Sequence, residues 1–387
     1  MVTFIHTADW QLGKPFASIK DDSKRHSLQQ ERLEAIRRLA KIASTCQASF
    51  VVVAGDVFDS SHATKATVSA ACLAIGSVGI PVLVIPGNHD HGGPGSIWQQ
   101  DFFKREQQDL APNLHILLSP LPVILENAVI FPAPLLRRHE SNDPTAWIRS
   151  SIETGEFPAD LPRIVLAHGT IQGFGSNQQE DEGESSVANW IDLTRLPLND
   201  IDYIALGDWH GTKQVGHKAW YSGTPEIDRF PKGEGNDPGN ILKVTAIRGE
   251  APLVEIIPSN RYQWKELSFH FSDDQSLHLL LSQIDELLVQ QPHDHLLSLS
   301  LTGSLGIEAS GRLEKILESL ESRLVRLKLD HRVAIAPSDS EIIDLTQRAA
   351  DPLISIVASQ LVSKMEGDHE DAAIACLALR ELHAAIF

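Results

Sequence analysis

The sequence predicts an α/β protein on the basis of three observations. Apolar runs such as SFVVVAGD, IPVLVIPGN and PRIVLAHG have the length and composition of buried strands. Helix-like segments such as QERLEAIRRLAKIAS alternate with these runs. Each run also ends in a polar, glycine-containing tip, and functional side chains of α/β proteins collect at the carboxyl ends of strands. Continuous apolar strands that alternate with helices predict sheets covered by helical layers.

The first strand is predicted in VTFIHTADWQLG, which ends near Asp9-Trp10-Gln11. LPVILENAVIF, residues 121–131, predicts a hairpin with Glu126 and Asn127 at its turn. DYIALGD, KAWYSG and ILKVTAI predict further strands. The segments 135–160 and 173–186 are predicted to be exposed loops, the second because it is acidic and rich in glycine and serine.

The character of the sequence changes after residue 257. KELSFHF, SLHLLLSQIDELL, HLLSLSLTG, ASGRLEKILESLESRLV and HRVAIAP predict a β-α-β-α-β unit. The remaining segment is mostly helix-like. We therefore predict a first domain at 1–257, a smaller α/β domain at 258–350 and a helical tail at 351–387.

Composition excludes several classes of protein. No apolar run approaches the roughly 20 residues that a membrane span needs, so no membrane association is expected. The formal net charge of −18 argues against nonspecific nucleic-acid binding over the whole surface, but it leaves room for a local basic groove. The start of the chain lacks signal-peptide features, and the three cysteines have no metal-binding spacing. A cytoplasmic location is therefore expected.

Oxygen and imidazole side chains recur at the predicted strand tips, and they are of the kinds that bind divalent cations. The tips, in chain order, are Asp9-x-Gln11, Gly55-Asp56-x-x-Asp59, Gly87-Asn88-His89-Asp90, His168-Gly169 and Gly207-Asp208-Trp209-His210. Taken singly, each reads as ordinary turn chemistry after a strand. Five such tips in this order predict a metal centre.

In this pattern the sequence resembles the calcineurin-like metallophosphoesterases, whose motifs are D-x-H, G-D-x-x-D, G-N-H-D/E, H and G-H-x-H. HTADWQLG, AGDVFD, PGNHD, YIALGDWHG and YSGTPE look most like the SbcD-type DNA repair nucleases, the nuclease subunits of SbcCD complexes. The motif resemblance covers roughly residues 1–230. It implies a four-layer β-sandwich flanked by helices, with 1–257 as the catalytic domain and 258–350 as an accessory capping domain.

The resemblance also implies two divalent cations that activate a hydroxide for phosphodiester hydrolysis. One cation would be bound by Asp9, Gln11, Asp56 and His210. The other would be bound by Asp56, Asn88, His168 and Asp208. His89 would act catalytically on the phosphate or the leaving oxygen, oriented by Asp90, and Asp59 would fix the loop behind the ligands.

The sequence departs from the family pattern at two of these positions. Gln11 stands where the family usually has histidine, and Asp208 replaces the first histidine of G-H-x-H. A more oxygen-rich site favours manganese, with magnesium as the alternative. The open alternative for both positions is a lost ligand with water in its place.

The predicted function is therefore that of a metal-dependent DNA exonuclease or endonuclease in DNA end processing or repair. Two alternatives stay open: a small-molecule phosphodiesterase or phosphatase on the same fold, and a weakly active DNA-end-binding subunit of an ATPase complex. Lys14, Lys213 and Arg229 follow the motifs and are candidate phosphate contacts.

The resemblance implies an SbcC-like coiled-coil ATPase as a partner, and a homodimer is also expected. In the tail, Ile374, Leu377, Ala378 and Leu382 fall near one helical face. That face could dock the ATPase, or it could pack on the second domain of the same chain.

Overall fold

The computed structural model describes residues 1–171, 188–231, 235–288, 292–365 and 369–386. It divides into two compact units, Met1–Arg261 and Tyr262–Phe387. The second unit contains the predicted helical tail and the predicted capping segment from Tyr262 onward, whereas residues 258–261 belong to the first unit. The functions assigned to these parts stay predictions. The predicted loop at 173–186 lies outside the described residues.

The first unit contains fourteen strands in the part of the chain that the structure describes. They are β1 (Val2–Thr7), β2 (Val51–Ala54), β3 (Val82–Ile85), β4 (Leu114–Ile116), β5 (Val123–Ile124), β6 (Val129–Ala133), β7 (Arg163–His168), β8 (Thr170–Ile171), β9 (Trp190–Ile191), β10 (Tyr203–Gly207), β11 (Lys213–Gln214), β12 (Ala219–Tyr221), β13 (Asn240–Ala246) and β14 (Leu253–Pro258).

Twelve of these strands form two six-stranded sheets with the orders β14-β13-β1-β2-β3-β4 and β11-β12-β10-β7-β6-β5. β1 to β4 are parallel in the first sheet, and β6, β7, β10 and β12 are parallel in the second. β5 pairs with β6 in antiparallel fashion, Val123 opposite Ile130, which confirms the predicted hairpin. Parallel strands bring the ends of β1, β2 and β3 to one edge of the first sheet and those of β7 and β10 to one edge of the second.

Successive side chains of a strand point to opposite faces of its sheet. The apolar side chains of the two sheets therefore form three cores, one between the sheets and one on each outer face. Val52 of β2 and Leu166 of β7 belong to a core between the two sheets. Val51 and Val53 belong to a core on the outer face of the first sheet. The predicted four-layer arrangement of helices, sheet, sheet and helix is confirmed.

The helices on the outer faces are α1 (Asp22–Thr45), α2 (Lys65–Gly76), α3 (Asp101–Leu110) and α4 (Trp147–Thr154). α1 begins after Asp21 and α2 after Thr64, whose side chains accept hydrogen bonds from the backbone nitrogens of Lys24 and Thr67, as N-cap residues do. Residues of α1, α2 and α3 contribute to the core of the first sheet.

The prediction that 135–160 is an exposed loop is wrong, because α4 lies within this segment. Ile148 and Ile152 are four residues apart and therefore share one helical face. Both are buried against the outer face of the second sheet. This spacing is typical of a helix, and the helix is only about two turns long.

The second unit contains β15 (Gln263–Phe271), α5 (Ser276–Leu287), β16 (His295–Leu305), α6 (Ile307–Arg323), β17 (Arg326–Ile335), α7 (Asp339–Thr346), α8 (Pro352–Met365) and α9 (His369–Ala384). Short 3-10 turns occupy Ile97–Gln99 and Leu193–Arg195 in the first unit and Pro292–Asp294 in the second. The three strands of the second unit are parallel, and α5 and α6 connect them, so the predicted β-α-β-α-β unit is confirmed.

The tail helices α8 and α9 pack within the second unit. Ala358 and Leu379 share a small core with Ile307 and Leu345. Of the predicted apolar face of the tail, Leu382 packs on this core, whereas Ile374 is 63% exposed and Leu377 is 53% exposed. No helix in the described ranges is both long enough and apolar enough to span a bilayer.

Candidate metal centre

The ends of strands from both sheets meet at one place in the first unit. The backbone nitrogen of Asp208, after β10, donates a hydrogen bond to Oδ1 of Asp9, after β1, across 3.2 Å. Nδ1 of His168, at the end of β7, lies 2.7 Å from the carbonyl oxygen of Ala54, at the end of β2. The strand tips of the two sheets therefore form a single centre.

Four predicted ligands adopt a backbone conformation that is unfavourable for residues other than glycine. The φ angles of Asp9, Gln11, Asp56 and Asp208 are 52°, 42°, 55° and 103°. Left-handed backbone at such residues costs on the order of 1–3 kcal/mol each and persists where surrounding contacts impose it. The contacts include hydrogen bonds from the Asp9 nitrogen to the Gly55 oxygen (3.1 Å) and from the Gln11 nitrogen to the Asp56 oxygen (2.9 Å). Strain of this kind is concentrated at functional sites.

The centre contains a buried group of potential metal ligands, Asp9, Asp56 and His168. One ligand atom of each lies within 4.8 Å of the others. Burial raises the pKa of the Asp9 carboxyl well above its ordinary value, and the neighbouring Asp56 and Asp208 raise it further, against the effect of His168. Buried carboxylates this close together are stabilised by a shared proton or by a cation between them. The group therefore fits one divalent metal ion.

His168 is held in the tautomer that a metal ligand requires. Its Nδ1 donates to the Ala54 carbonyl oxygen, so Nε2 is the nitrogen that can bind a metal once its own proton has left. Nε2 lies 3.0 Å from Oδ1 of Asn88 and 3.7 Å from Oδ1 of both Asp56 and Asp208. Without a proton or a cation among them, these acceptor atoms repel one another. The structure thus brings together the predicted ligand set Asp56, Asn88, His168 and Asp208.

Two glycines allow the ligands to approach this closely. A Cβ atom on Gly55, whose φ is +89°, would lie 2.2 Å from Nδ1 of His168. A Cβ atom on Gly87 would lie 2.1 Å from Oδ1 of Asp56. Any larger residue at either position would displace a ligand.

The other predicted ligand set, Asp9, Gln11, Asp56 and His210, is divided in the structure. Asp9 and Asp56 belong to the buried group, but Gln11 and His210 form a separate hydrogen-bonded pair, with Nε2 of Gln11 lying 3.2 Å from Nε2 of His210. Nζ of Lys14 donates to Oε1 of Gln11 across 2.7 Å.

Asp228 holds the other side of the His210 ring. Its Oδ1 lies 3.1 Å from Nδ1 of His210. Burial lowers the pKa of His210 despite the opposing effect of Asp228. Nδ1 faces a carboxylate and therefore donates to it, and Nε2 faces the Gln11 amide nitrogen and therefore accepts from it. Nε2 of His210 and Oε1 of Gln11 therefore both accept hydrogen bonds already. This side of the centre does not fit a second divalent cation.

His89 lies beside the buried ligands, and the contact described for its Nδ1 is with Asp59, so its orientation by Asp90 stays a prediction. Nδ1 of His89 lies 2.9 Å from the carbonyl oxygen of Asp59. The two oxygens of Asp90 instead accept hydrogen bonds from the backbone nitrogens of Gly87 (2.8 Å) and Phe58 (3.0 Å). Burial, together with Asp56, raises the pKa of the Asp90 carboxyl to about 7. Asp90 therefore fixes the loop behind the centre, and Asp59 orients the ring through its backbone.

The three predicted phosphate contacts differ in their surroundings. Lys14 lies inside the centre, where its Nζ is 3.1 Å from Oδ2 of Asp228 and 3.4 Å from Oδ1 of Asp59. Lys213 holds its ammonium 5.9 Å from the centre of the Trp209 ring. Arg229 pairs with Asp228 across 3.3 Å. Only Lys14 touches a predicted metal ligand among the contacts described for these three.

Sequence reasoning missed three residues that support the centre. Arg32 of α1 is buried and donates to the carbonyl oxygens of Asp9 and Trp10. Thr170 donates to Oδ2 of Asp208 across 2.7 Å. Asp228 holds His210, as described above. In the sequence, Arg32 is marked by its place among the apolar residues of α1. Asp228 is marked as a carboxylate three residues after Pro225.

Comparison with known proteins gives one family and several distant structural likenesses. A protein of Thermus thermophilus, TT1561, has a solved structure that is 12% identical in sequence, with a TM-score of 0.36, covering 58% of this chain and 89% of its own. A second solved structure is 12% identical, with a TM-score of 0.40, covering 66% of this chain and 98% of its own. Likenesses this weak support no statement about substrate or assembly.

The sequence profile of the calcineurin-like phosphoesterases matches residues 2–212. The matched segment is more than half of the 387 residues, and it contains Asp9, Asp56 and His168, which form the buried ligand group. The chain belongs to the calcineurin-like phosphoesterase family.

Proposed function

We propose that this chain is a metal-dependent nuclease of the SbcD type that hydrolyses phosphodiester bonds at DNA ends. Membership in the phosphoesterase family supports metal-dependent hydrolysis of a phosphoester. The choice of DNA rests on the resemblance of motifs such as HTADWQLG and YIALGDWHG to those nucleases. The observation that carries the chemistry is the buried group of Asp9, Asp56 and His168, with His89 beside it.

A divalent cation bound in this group would act as a Lewis acid toward a phosphate and its attacking water. The residues of the chain prepare for that role. His168 is locked by the Ala54 carbonyl so that its Nε2 faces the carboxylates. Asp9 and Asp56 are almost fully buried, which strengthens electrostatic interactions within the centre.

His89 is placed to handle a proton. Its Nδ1 is bonded to the Asp59 carbonyl, and its other ring nitrogen, Nε2, lies 3.9 Å from Oδ2 of Asp56. The side chain is 22% exposed, so a substrate can reach it. In its protonated form the ring gives the Nε2 proton to the departing sugar oxygen.

An assay of end-labelled duplex and single-stranded DNA tests the proposal. The chain is supplied with Mn²⁺, with Mg²⁺ or with a chelator, and cyclic nucleotides and aryl phosphate esters are measured in parallel. We expect DNA cleavage with Mn²⁺ or Mg²⁺ and none with chelator. Hydrolysis of the small phosphoesters with intact DNA would instead identify a small-molecule phosphodiesterase. Binding of DNA ends without any hydrolysis would identify a binding subunit.

We also propose that α8 and α9 bind an SbcC-like coiled-coil ATPase. Apolar side chains are exposed on both helices, including Leu353 (70%), Ile356 (56%) and Leu377 (53%). Ile356→Glu together with Leu377→Glu is expected to abolish assembly with such an ATPase from the same organism while leaving metal binding intact. Leu279→Glu, at a 62% exposed position of α5, is the control. Assembly that survives the double substitution would refute this partner surface. A homodimer and a cytoplasmic location stay predictions.

A further inference from the structure

The ammonium group of Lys14 binds Gln11, one of the four residues predicted to hold the first cation. Gln11 and His210 were predicted to bind one of two cations, yet Oε1 of Gln11 accepts a hydrogen bond from Nζ of Lys14 across 2.7 Å. We infer that this chain binds a single divalent cation, in the group of Asp9, Asp56 and His168, and that the Lys14 ammonium takes the place of the second. The inference rests on the metal dependence of the proposed function.

Hydrogen bonding fixes the Gln11 amide in the orientation that suits a lysine. Its oxygen faces the ammonium of Lys14, and its nitrogen faces Nε2 of His210 across 3.2 Å. The reverse orientation would direct the amide N–H groups at the ammonium, which has only donors to offer. A metal at this position would have to take both acceptor atoms away from their present donors.

Two carboxylates hold the ammonium in place. Nζ of Lys14 lies 3.1 Å from Asp228, whose side chain is 1% exposed, and 3.4 Å from Asp59, whose side chain is 19% exposed. Lys14 itself is 19% exposed at its side chain. An ion pair that is largely withdrawn from solvent is screened little by salt. The charge of Lys14 is thus built into the centre.

The backbone also directs Lys14 toward Gln11. The nitrogen of Lys14 donates to the carbonyl oxygen of Gln11 across 3.2 Å, which closes a tight turn. Gly13 lies within this turn at a φ of +87°, a conformation that glycine adopts without strain. Nε2 of Gln29 in α1 donates to the Lys14 carbonyl oxygen across 3.2 Å. The turn places the lysine three residues after the amide that it binds.

This arrangement gives a physical reason for glutamine at position 11. A histidine there would present an imidazole lone pair suited to a transition metal. The glutamine carbonyl is instead a good acceptor for the Lys14 ammonium, and the amide N–H donates to Nε2 of His210. The second cation of a two-metal centre neutralises charge on a transferring phosphate. In this interpretation the Lys14 ammonium replaces it, and a chelator cannot remove a side chain.

Metal stoichiometry tests the inference independently of catalysis. Wild-type chain and a double variant, Lys14→Ala with Gln11→His, are dialysed to equilibrium against saturating Mn²⁺. Bound manganese is measured by mass spectrometry, and electron paramagnetic resonance distinguishes isolated ions from coupled pairs. Lys20→Ala, at an exposed lysine between β1 and α1, is the matched control.

We expect one ion per chain with an isolated-ion signal in the wild type and in the Lys20 variant. In the double variant we expect two ions with a coupled signal. Two coupled ions in the wild type, or one ion in a folded double variant, would overturn the inference. If the double variant does not fold, the wild-type stoichiometry and signal decide alone. DNA hydrolysis by a chain with two bound ions would refute the single-metal centre and leave the proposed function standing. One bound ion without any phosphodiester hydrolysis would support the single-metal centre and refute the proposed function.

Discussion

The Nη2 atom of Arg32 donates a hydrogen bond to the carbonyl oxygen of Asp9 across 3.1 Å. The same guanidinium donates to the carbonyl oxygens of Trp10 (2.7 Å) and Glu226 (3.1 Å) and to the hydroxyl of Thr224 (3.2 Å). Arg32 is 3% exposed. A buried side chain of α1 therefore fixes two loops at once, including the one that carries Asp9 in its strained conformation.

Arg32→Ala is expected to lower the free energy of unfolding by about 3 kcal/mol or more. The substitution removes the donor of the buried carbonyl oxygens of Asp9 and Trp10, and each loss costs about 1–3 kcal/mol. The Glu226 oxygen keeps its hydrogen bond from the Thr224 hydroxyl. Because the strained Asp9 loop loses its support, the affinity for Mn²⁺ should also fall. Urea denaturation and Mn²⁺ titration measure the two effects.

Arg37→Ala on the same helix is the matched control. Arg37 is 38% exposed and pairs with Glu34, so its removal should change the stability by less than about 0.5 kcal/mol. Equal effects of the two substitutions would contradict the positioning role of Arg32.

Gly87→Ala is expected to weaken metal binding by displacing a ligand. The new Cβ would lie 2.1 Å from Oδ1 of Asp56 and 2.7 Å from its backbone nitrogen. Relief of such a clash costs about 1–3 kcal/mol of stability and moves the Asp56 carboxylate. Gly311→Ala is the control, because Gly311 lies within helix α6 and a Cβ there meets nothing within 4 Å. That substitution should stabilise its unit by about 0.5–1 kcal/mol. Unchanged Mn²⁺ affinity in Gly87→Ala would show that the loop can relax.

Mn²⁺ affinity is expected to rise with pH because a proton must leave His168. In the metal-free chain, burial opposes charge on His168, but Asp56, Asp9 and Asp208 raise the pKa of the imidazole to about 9. The unfolded value is about 6.5. His168 therefore contributes stability that is fully present below about pH 6.5 and is lost as the pH rises through about 9.

Because binding displaces one proton, the apparent affinity for Mn²⁺ should rise by about tenfold per pH unit between about pH 6.5 and about pH 9. Calorimetric titrations with Mn²⁺ in buffers of different ionisation enthalpy measure the proton release directly. In His168→Gln the proton release from this site should disappear. Affinity in the wild type that does not change with pH would contradict a protonated His168.

His89→Ala is expected to lower phosphodiester hydrolysis by about 10²- to 10⁴-fold, the usual range for loss of a general acid. Metal stoichiometry should not change, because His89 lies beside the ligand group rather than within it. His26→Ala, at an exposed position of α1, is the control for both measurements. Loss of bound metal in His89→Ala would reassign this residue as a ligand.

Much of the fold was predictable because hydrophobic periodicity is a local property of the sequence. The apolar runs that became β2, β3, β7 and β10 each pack on both sides, so they have continuous apolar sequences. Helix α4 was missed because only Ile148 and Ile152 are buried in its eight residues. Two apolar positions are too few to distinguish a short helix from a loop.

The sequence by itself determined which residue types follow each strand, and hence that oxygen and imidazole ligands would collect at one edge. Only the tertiary structure decided their partners: Lys14 for Gln11, the Asp59 backbone for His89, and Arg32 for the Asp9 loop. The physical reason is that the formation of a strand or helix, and the residues at its end, depend on the local sequence. Which side chain meets which depends on how two sheets and a helix, far apart in the chain, pack against one another.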